Sequence, residues 1–241
     1  MTNLTYNNWL LSLDLNGGRI QELTYKGIKI FGTYQRIDGK MGNTHICAPS
    51  FDKEGQEKYG LPFHGYARTL KWESKKLTAN TVQIKTVTHS TETYPAQLEL
   101  IQEFVLDTVF THTITVKHLR GLDVPVNIGI HYYWDTPQGW NEITIKNRSQ
   151  KELIKTNGYM NLEEKNSIIF PHASYELTSC GFNSAMLWTS FKTDTTGNKI
   201  YNHDFCCIEP IIGWPGYFTS PASILGIGKT ISASVQIKKI V

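Results

Sequence analysis

The chain has 241 residues, of which 40% are hydrophobic and 19% are charged, and its formal net charge is +3. This length supports a full-sized core, and because no linker or low-complexity tract interrupts the chain, we expect one domain over residues 1–241. Lysine and arginine are dispersed instead of forming a basic stripe, which argues against nucleic acid as a partner. With neither a signal-like start nor a run long enough to span a bilayer, the sequence predicts a soluble cytoplasmic protein without membrane contact.

Four cysteines are spread unevenly, and they match neither a disulfide framework nor a zinc site. Cys47 and Cys180 stand alone, and the adjacent pair Cys206 and Cys207 could be bridged only with strain. We therefore expect reduced, mostly buried thiols. Because neither HxxxH nor CxxC spacing is present, we expect no metal site.

The predicted elements are almost all β-strands. Residues 9–15 and 20–25 flank a Gly-Gly pair and predict a hairpin, after which Gly27 turns the chain into a strand over residues 28–31. Residues 33–60 are rich in glycine with little alternation, which predicts a long functional loop. Further strands are predicted from period-two alternation at residues 82–87, 96–100, 110–116, 124–130, 143–145 and 231–237. These features predict an all-β fold, a large antiparallel β-sandwich.

The predicted strand over residues 124–131 separates two faces. Its even positions form an apolar stripe, so Asn127, Gly129 and His131 point the other way. On that face His131 would line a ligand groove, Gly129 would leave space for a ring and Asn127 would offer hydrogen bonds. The remaining histidines apart from His64 are interpreted as structural or surface residues: His45, His89, His112, His118, His172 and His203.

Two further residues stand out by their neighbours. Glu209 follows an apolar run and precedes proline, which favours an extended backbone at the edge of a buried region. Trp214 lies in a Gly-Trp-Pro-Gly turn close by, and it could stack on the C–H face of a sugar ring.

Three fragments read as parts of one sugar site: LPFHGYAR at residues 61–68, IGIHYY at residues 128–133 and CIEP at residues 207–210. In this order they resemble the aldose 1-epimerase (galactose mutarotase-like) superfamily. The HGYAR segment followed by Trp72 and Glu73 is most similar to the hexose-6-phosphate mutarotase branch. The resemblance implies a supersandwich fold and an isomerase that interconverts the α and β anomers of an aldohexose or hexose 6-phosphate, without metal or cofactor.

By the same resemblance, Glu209 is the general base at O1 and His131 the general acid at O5, a role that suits an imidazolium. His64 and Arg68 would position the substrate. The hexose-6-phosphate branch also implies a phosphate cradle, for which Arg68, Arg36 and Lys71 are the candidates because cationic side chains bind phosphate. A bell-shaped pH–rate profile is our hypothesis for such a pair.

Alternatives remain open at this stage. The family holds sugar hydroxyls with an aspartate that has no convincing counterpart among Asp135, Asp194 and Asp204, so a non-catalytic carbohydrate-binding protein on the same fold is the main rival. A β-sandwich interaction module without sugar affinity is the third reading. A small-molecule sugar or sugar phosphate is the expected partner, and a monomer or weak homodimer is the expected state because edge strands can be paired or protected by loops.

Overall fold

The computed structural model describes residues 1–51 and 53–240, apart from the side chain of Glu54. Two nine-stranded sheets contain most of the strands, and neighbouring strands in both are antiparallel. The predicted all-β class and antiparallel architecture are therefore confirmed. Within these described ranges, no helix is both long enough and apolar enough for a membrane crossing.

The first sheet contains, in spatial order, β1 (Thr2–Tyr6), β2 (Trp9–Asp14), β3 (Arg19–Tyr25), β4 (Ile28–Phe31), β13 (Gly129–Asp135), β22 (Phe205–Ile211), β19 (Ser184–Trp188) and β16 (Tyr159–Asn161), with β7 (His45–Cys47) paired to β13. The second sheet contains, in spatial order, β15 (Arg148–Ser149), β14 (Thr144–Ile145), β17 (Lys165–Phe170), β18 (Ala173–Cys180), β24 (Thr230–Lys239), β11 (Phe110–Gly121), β10 (Ala96–Leu106), β9 (Thr81–Val87) and β8 (Glu73–Lys76).

Short elements lie outside the two large sheets. They are the two-stranded pairs β5 (Tyr34–Gln35) with β6 (Met41–Gly42), β12 (Val124–Pro125) with β23 (Ile224–Leu225) and β20 (Phe191–Thr193) with β21 (Lys199–Tyr201), the helices α1 (Glu54–Tyr59) and α2 (Gln150–Lys155), and two 3₁₀ turns (Ala67–Thr69 and Pro221–Ser223). The Ser149 side chain accepts a hydrogen bond from the Glu152 amide, and the Glu152 carboxylate accepts one from the Ser149 amide, which fixes where α2 begins.

One hydrophobic core draws on both sheets. In β10 the residues alternate between buried and half-buried along the whole strand, as period-two patterning requires. Aromatic side chains join the layers, because the ring of Phe110 in β11 lies 6.2 Å from Trp9 and 6.3 Å from Phe31 in the first sheet. Three of the four cysteines, Cys47, Cys206 and Cys207, are buried and free, as predicted.

The predicted N-terminal hairpin is present as β2 and β3, and its glycine pair has a steric reason. Gly18 has a φ of +57°, and a Cβ added there would lie 2.5 Å from the ring of Trp72. Only glycine combines this left-handed backbone with such a close approach. The turn therefore packs directly on a buried tryptophan.

Two predicted boundaries were wrong. The strand predicted over residues 124–131 is interrupted, because the backbone amides of Val126 and Asn127 donate to Ser223 O and Pro49 O instead of to a sheet partner. The predicted loop over residues 33–60 contains β5, β6, β7 and α1. Short strands of two or three residues offer no alternation to read, which is why the sequence pattern missed them.

Two histidines interpreted as structural lie in the core. His112 contacts the Tyr132 hydroxyl through Nδ1 at 2.9 Å and Gln102 Oε1 through Nε2 at 3.0 Å, and Gln102 Nε2 donates to Gly18 O at 2.8 Å. Because that amide must present its oxygen to His112, the imidazole donates a hydrogen bond from Nε2 and accepts one from the Tyr132 hydroxyl at Nδ1. Burial lowers the pKa of His112 to about 3. His118 lies between the carbonyl oxygens of Leu225 and Arg120.

Candidate active site

A row of side chains crosses four neighbouring strands on the outer face of the first sheet. In β13, Tyr132 points into the core while His131 points outward, so strand alternation separates packing from the site. β7 pairs His45 with His131, and β19 pairs Met186 with Glu209 of β22. The register of β13 and β22 puts Glu209 beside His131, with 3.5 Å between Oε1 and Nε2. Sheet register alone therefore assembles the two predicted catalytic residues.

A cleft of about 440 Å³ opens over this row. Its polar and charged lining consists of Arg36, Lys40, His45, His64, Arg68, His131 and Glu209. Its aromatic and apolar lining consists of Phe51, Phe63, Tyr133, Met186, Trp188 and Trp214. Apolar walls with a few converging polar groups are typical of small-molecule sites.

His64 reaches the cleft from a turn, where its backbone has a φ of +67°. Histidine is one of the few residues other than glycine that tolerate this region, and such conformations concentrate at functional sites. The ring is held because Nδ1 donates to Phe51 O at 2.5 Å, so Nε2 carries the lone pair in the neutral form. Gly65 follows with a φ of +71°, and any Cβ there would collide with the backbone of Ala48.

Three imidazoles therefore share the cleft. The ring centroid of His131 lies 5.0 Å from that of His45 and 5.8 Å from that of His64. His45 Nδ1 donates to Asn43 O at 2.8 Å. Two ring nitrogens, His45 Nε2 and His131 Nδ1, are buried and have no hydrogen-bond partner among the described residues.

Burial dominates the electrostatics of the central pair. His131 and Glu209 are 6% and 2% exposed. Burial raises the pKa of Glu209 well above its ordinary value, and burial together with the nearby His45 and His64 lowers the pKa of His131 well below its own. The free cleft thus favours a neutral imidazole, whereas the acid role suits an imidazolium. Burial and the charge of Arg68 also lower the pKa of His64, to about 4.

Cationic side chains surround the pair. Arg36 forms an ion pair with Asp38 at 3.0 Å, and its guanidinium lies 5.3 Å from the ring of Trp188. Arg68 Nη2 donates to Phe63 O at 2.9 Å, and burial lowers the pKa of this guanidinium. Lys40 adds a third cation to the lining. Arg36 and Arg68 were predicted for a phosphate cradle, and both lie in the cleft.

Two predicted substrate-binding residues lie elsewhere. Asn127 is buried, does not line the cleft and donates through Nδ2 to Ile212 O, because its segment leaves the sheet before β13 begins. Lys71 is exposed and does not line the cleft, since its backbone is held by a bridge to Asn16. The space over Gly129, predicted to accept a ligand ring, is occupied by the ring of Phe51. Trp214 does line the cleft, as predicted.

Sequence reasoning missed His45 and Lys40. Both come from the irregular segment before His64, and His45 lies in a strand of only three residues. The available signal was the segment itself, a long connection rich in glycine directly before a candidate site histidine. The aspartate candidates do not fill the family position, since Asp135 accepts a hydrogen bond from the Tyr34 hydroxyl and none of the three lines the cleft.

His131, Cys207 and Glu209 could in principle hold a metal, because one donor atom from each lies within 4.8 Å of the others. However, Cys207 packs among Tyr133 and Phe205 and does not line the cleft. The charge of Arg36 and Arg68 on His131 also opposes a further cation there. The described residues therefore fit an acid–base pair better than a metal centre.

Two large antiparallel sheets with an aromatic-walled cleft on one face form a β-supersandwich of the galactose mutarotase-like fold class. A profile of the family described as Aldose 1-epimerase matches residues 2–209. The chain belongs to the aldose 1-epimerase family: it is a mutarotase-type sugar epimerase, and its small-molecule partner is a sugar.

Solved structures show the same fold. A galactose mutarotase-like protein from Lactobacillus casei has a TM-score of 0.79 at 14% identity, with 100% of each chain covered. A galactose mutarotase related enzyme from Lactobacillus acidophilus has a TM-score of 0.76 at 12% identity, with 100% of this chain and 97% of that chain covered. A galactose mutarotase-like protein from Clostridium acetobutylicum has a TM-score of 0.70 at 14% identity, with 99% and 95% covered. No curated protein matches the sequence significantly.

Proposed function

We propose that this protein is a hexose-6-phosphate mutarotase, in which Glu209 and His131 interconvert the α and β anomers by opening and reclosing the sugar ring. The observation that carries the proposal is the 3.5 Å approach of Glu209 Oε1 to His131 Nε2 in the cleft. A carboxylate and an imidazole side by side can remove one proton and deliver another within a single substrate.

In the proposed opening step, the Glu209 carboxylate removes the proton from the C1 hydroxyl, and the imidazolium of His131 delivers a proton to the ring oxygen O5. The C1–O5 bond breaks and its electron pair goes to O5, while O1 becomes the aldehyde oxygen. Rotation about C1–C2 exposes the other face, and the reverse proton transfers close the ring. After opening, both side chains are neutral, which is the state that burial favours.

The pair works with a single shared proton. Carboxylate with imidazolium, and carboxylic acid with imidazole, are two arrangements of the same singly protonated pair. Their ratio does not change with pH while the pair holds one proton. Activity is therefore expected to fall at low pH, where a second proton binds, and at high pH, where the last proton leaves. The lowered pKa of His131 reduces the fraction of the pair that is present as carboxylate with imidazolium. It does not remove the bell shape of the pH–rate profile.

The charge of the cleft supports a phosphorylated sugar. Arg36, Lys40 and Arg68 line it together, whereas Glu209 is its one carboxylate among residues 1–51 and 53–240. Guanidinium groups bind phosphate through two parallel hydrogen bonds, and an ammonium adds a point charge. Trp188 and Trp214 provide flat apolar walls for the C–H face of the ring.

The test is NMR exchange spectroscopy on the anomers of glucose, galactose and glucose 6-phosphate with wild-type protein, Glu209→Gln and Glu73→Gln. Glu73 is exposed in β8 and serves as the matched control. We expect faster exchange for the phosphosugar alone, reduced by about 100-fold or more in Glu209→Gln and unchanged in the control.

Other outcomes reject the proposal in distinct ways. Acceleration of free glucose or galactose without the phosphosugar assigns the chain to a free-sugar mutarotase. Binding without acceleration, unaffected by Glu209→Gln, favours the non-catalytic carbohydrate-binding alternative.

A further inference from the structure

His45 presents a buried hydrogen-bonding atom that the proposed acid–base steps do not use. The residue is 6% exposed, lines the cleft and pairs directly with His131 across β7 and β13. Its Nε2 has no hydrogen-bond partner among the described residues. Buried polar atoms in folded proteins nearly always have a partner, so an unpartnered one in a binding cleft points to a ligand.

The chemistry of that atom is restricted. Nδ1 is 2.8 Å from Asn43 O, which accepts only a donated proton, so a neutral ring carries its lone pair at Nε2. Burial, together with the charges of Arg68 and Arg19, lowers the pKa of His45 well below its ordinary value. A neutral Nε2 with a lone pair accepts hydrogen bonds and cannot donate one. Its partner must therefore carry a proton, which favours a hydroxyl over an ionised phosphate oxygen.

The position of the ring indicates which hydroxyls it can reach. The His45 ring stacks on that of His131 at 5.0 Å with 29° between their planes, whereas Arg36 and Arg68 contribute the cationic lining. A sugar ring presented to His131 and Glu209 brings its ring hydroxyls into the same part of the cleft. Because the His45 ring stacks on that of His131, we expect its Nε2 to meet the ring hydroxyls close to the reacting centre.

We propose that His45 is a specificity-determining residue whose Nε2 accepts a hydrogen bond from one ring hydroxyl of the substrate, on C2, C3 or C4. This inference rests on the proposed function for the identity of the sugar. His45 would thereby hold a sugar hydroxyl, which Asp135, Asp194 and Asp204 cannot do because none of them lines the cleft. His45 is a positioning group and takes no part in proton transfer.

The effect is measurable because an unpaired buried acceptor costs about 1–3 kcal/mol, which is roughly 5- to 150-fold in kcat/KM. We would measure kcat/KM for glucose 6-phosphate and its 2-deoxy, 3-deoxy and 4-deoxy analogues. The proteins are wild type, His45→Leu, His45→Gln and His89→Leu. Glutamine can place an acceptor near the Nε2 position, and the exposed His89 is the matched control.

We expect wild type to lose about 10- to 100-fold in kcat/KM on one deoxy analogue. With glucose 6-phosphate, kcat/KM of His45→Leu is expected to fall by the same factor. With that one deoxy analogue, kcat/KM of His45→Leu should equal that of wild type. His45→Gln should recover part of the kcat/KM for glucose 6-phosphate. The inference is overturned if His45→Leu loses kcat/KM by the same factor with all four substrates, or if it loses none. His89→Leu should match wild type throughout.

A binding measurement keeps this inference separate from the proposed function. The analogue 1,5-anhydroglucitol 6-phosphate cannot open its ring, so it reports binding without turnover. With ¹⁵N-histidine-labelled wild type, we expect a shift of the His45 Nε2 resonance on saturation, and a smaller shift with the matching deoxy analogue. An unchanged resonance overturns the role of His45 even if mutarotation is observed. A shift without any mutarotation retains it and refutes the proposed function instead.

Discussion

Acidification should destabilise this fold through His112, the core histidine that joins the two sheets. Its imidazole accepts a hydrogen bond from the Tyr132 hydroxyl and donates one to Gln102, so the folded state has no place for a second ring proton. The pKa falls from 6.5 to about 3. Because the folded pKa is lowered, the unfolded chain binds the extra proton first, and stability is lost as pH falls below 6.5.

The size of the effect follows from that shift. Each pH unit between 6.5 and 3 costs about 1.4 kcal/mol, so a change from pH 7.5 to pH 4.5 removes roughly 3 kcal/mol through His112 alone. This is a large share of the total, because domains are typically stable by about 5–15 kcal/mol. Urea unfolding followed by tryptophan fluorescence at both pH values gives the free energy of unfolding directly.

His112→Gln isolates the contribution, because glutamine offers one donor and one acceptor but does not titrate. The variant should lose about 3 kcal/mol less than wild type between pH 7.5 and pH 4.5. The exposed His89→Gln is the control and should lose as much as wild type. His45, His64 and His131 titrate in all three proteins, so their effects cancel in the comparison. If His112→Gln and wild type lose the same stability, this reasoning about His112 is refuted.

Three further predictions concern the cleft. The Tm of Glu209→Gln should rise relative to that of wild type as pH increases from 4 to 8. The cause is the raised pKa of the buried Glu209 carboxyl, which makes its ionisation destabilising. A constant difference in Tm across this range would contradict this prediction. Gly129→Ala should lower kcat/KM roughly 100-fold by pushing the Phe51 ring out of place, measured with full-length folded protein, and unchanged kinetics would refute the packing argument. Lys40→Met should raise KM for glucose 6-phosphate about 10-fold, whereas Lys71→Met should leave it unchanged. A larger increase in KM for Lys71→Met than for Lys40→Met would show instead that Lys71 binds the substrate.

Much of the fold could be predicted from the sequence because long strands alternate. β10 alternates over all eleven of its residues and β11 from Phe110 to His118, so both strands are recognisable even where their ends are misplaced. The alternation of Ile130 with Gly129 and His131 placed His131 on the outer face, because these three residues lie within β13. Local rules succeed wherever one face of an element is buried and the other is not.

The failures share a different cause. Asn127 was assigned to the cleft by counting from Val124, but the chain leaves the sheet between β12 and β13, so the count no longer reports direction. His45 and Lys40 reach the cleft only because β7 pairs with β13 and because β5 and β6 form a short hairpin. Such long-range pairing of very short strands depends on the assembled sheet, and no local pattern encodes it.

The most direct test of the Glu209–His131 mechanism is the pH dependence of anomer exchange in glucose 6-phosphate, measured by NMR with wild type and Glu209→Gln. The mechanism predicts a bell-shaped profile for wild type, with one limb for binding a second proton and one for losing the last. It also predicts that Glu209→Gln abolishes most of the acceleration at every pH. A flat wild-type profile between pH 5 and pH 9, or full activity in Glu209→Gln, would contradict it.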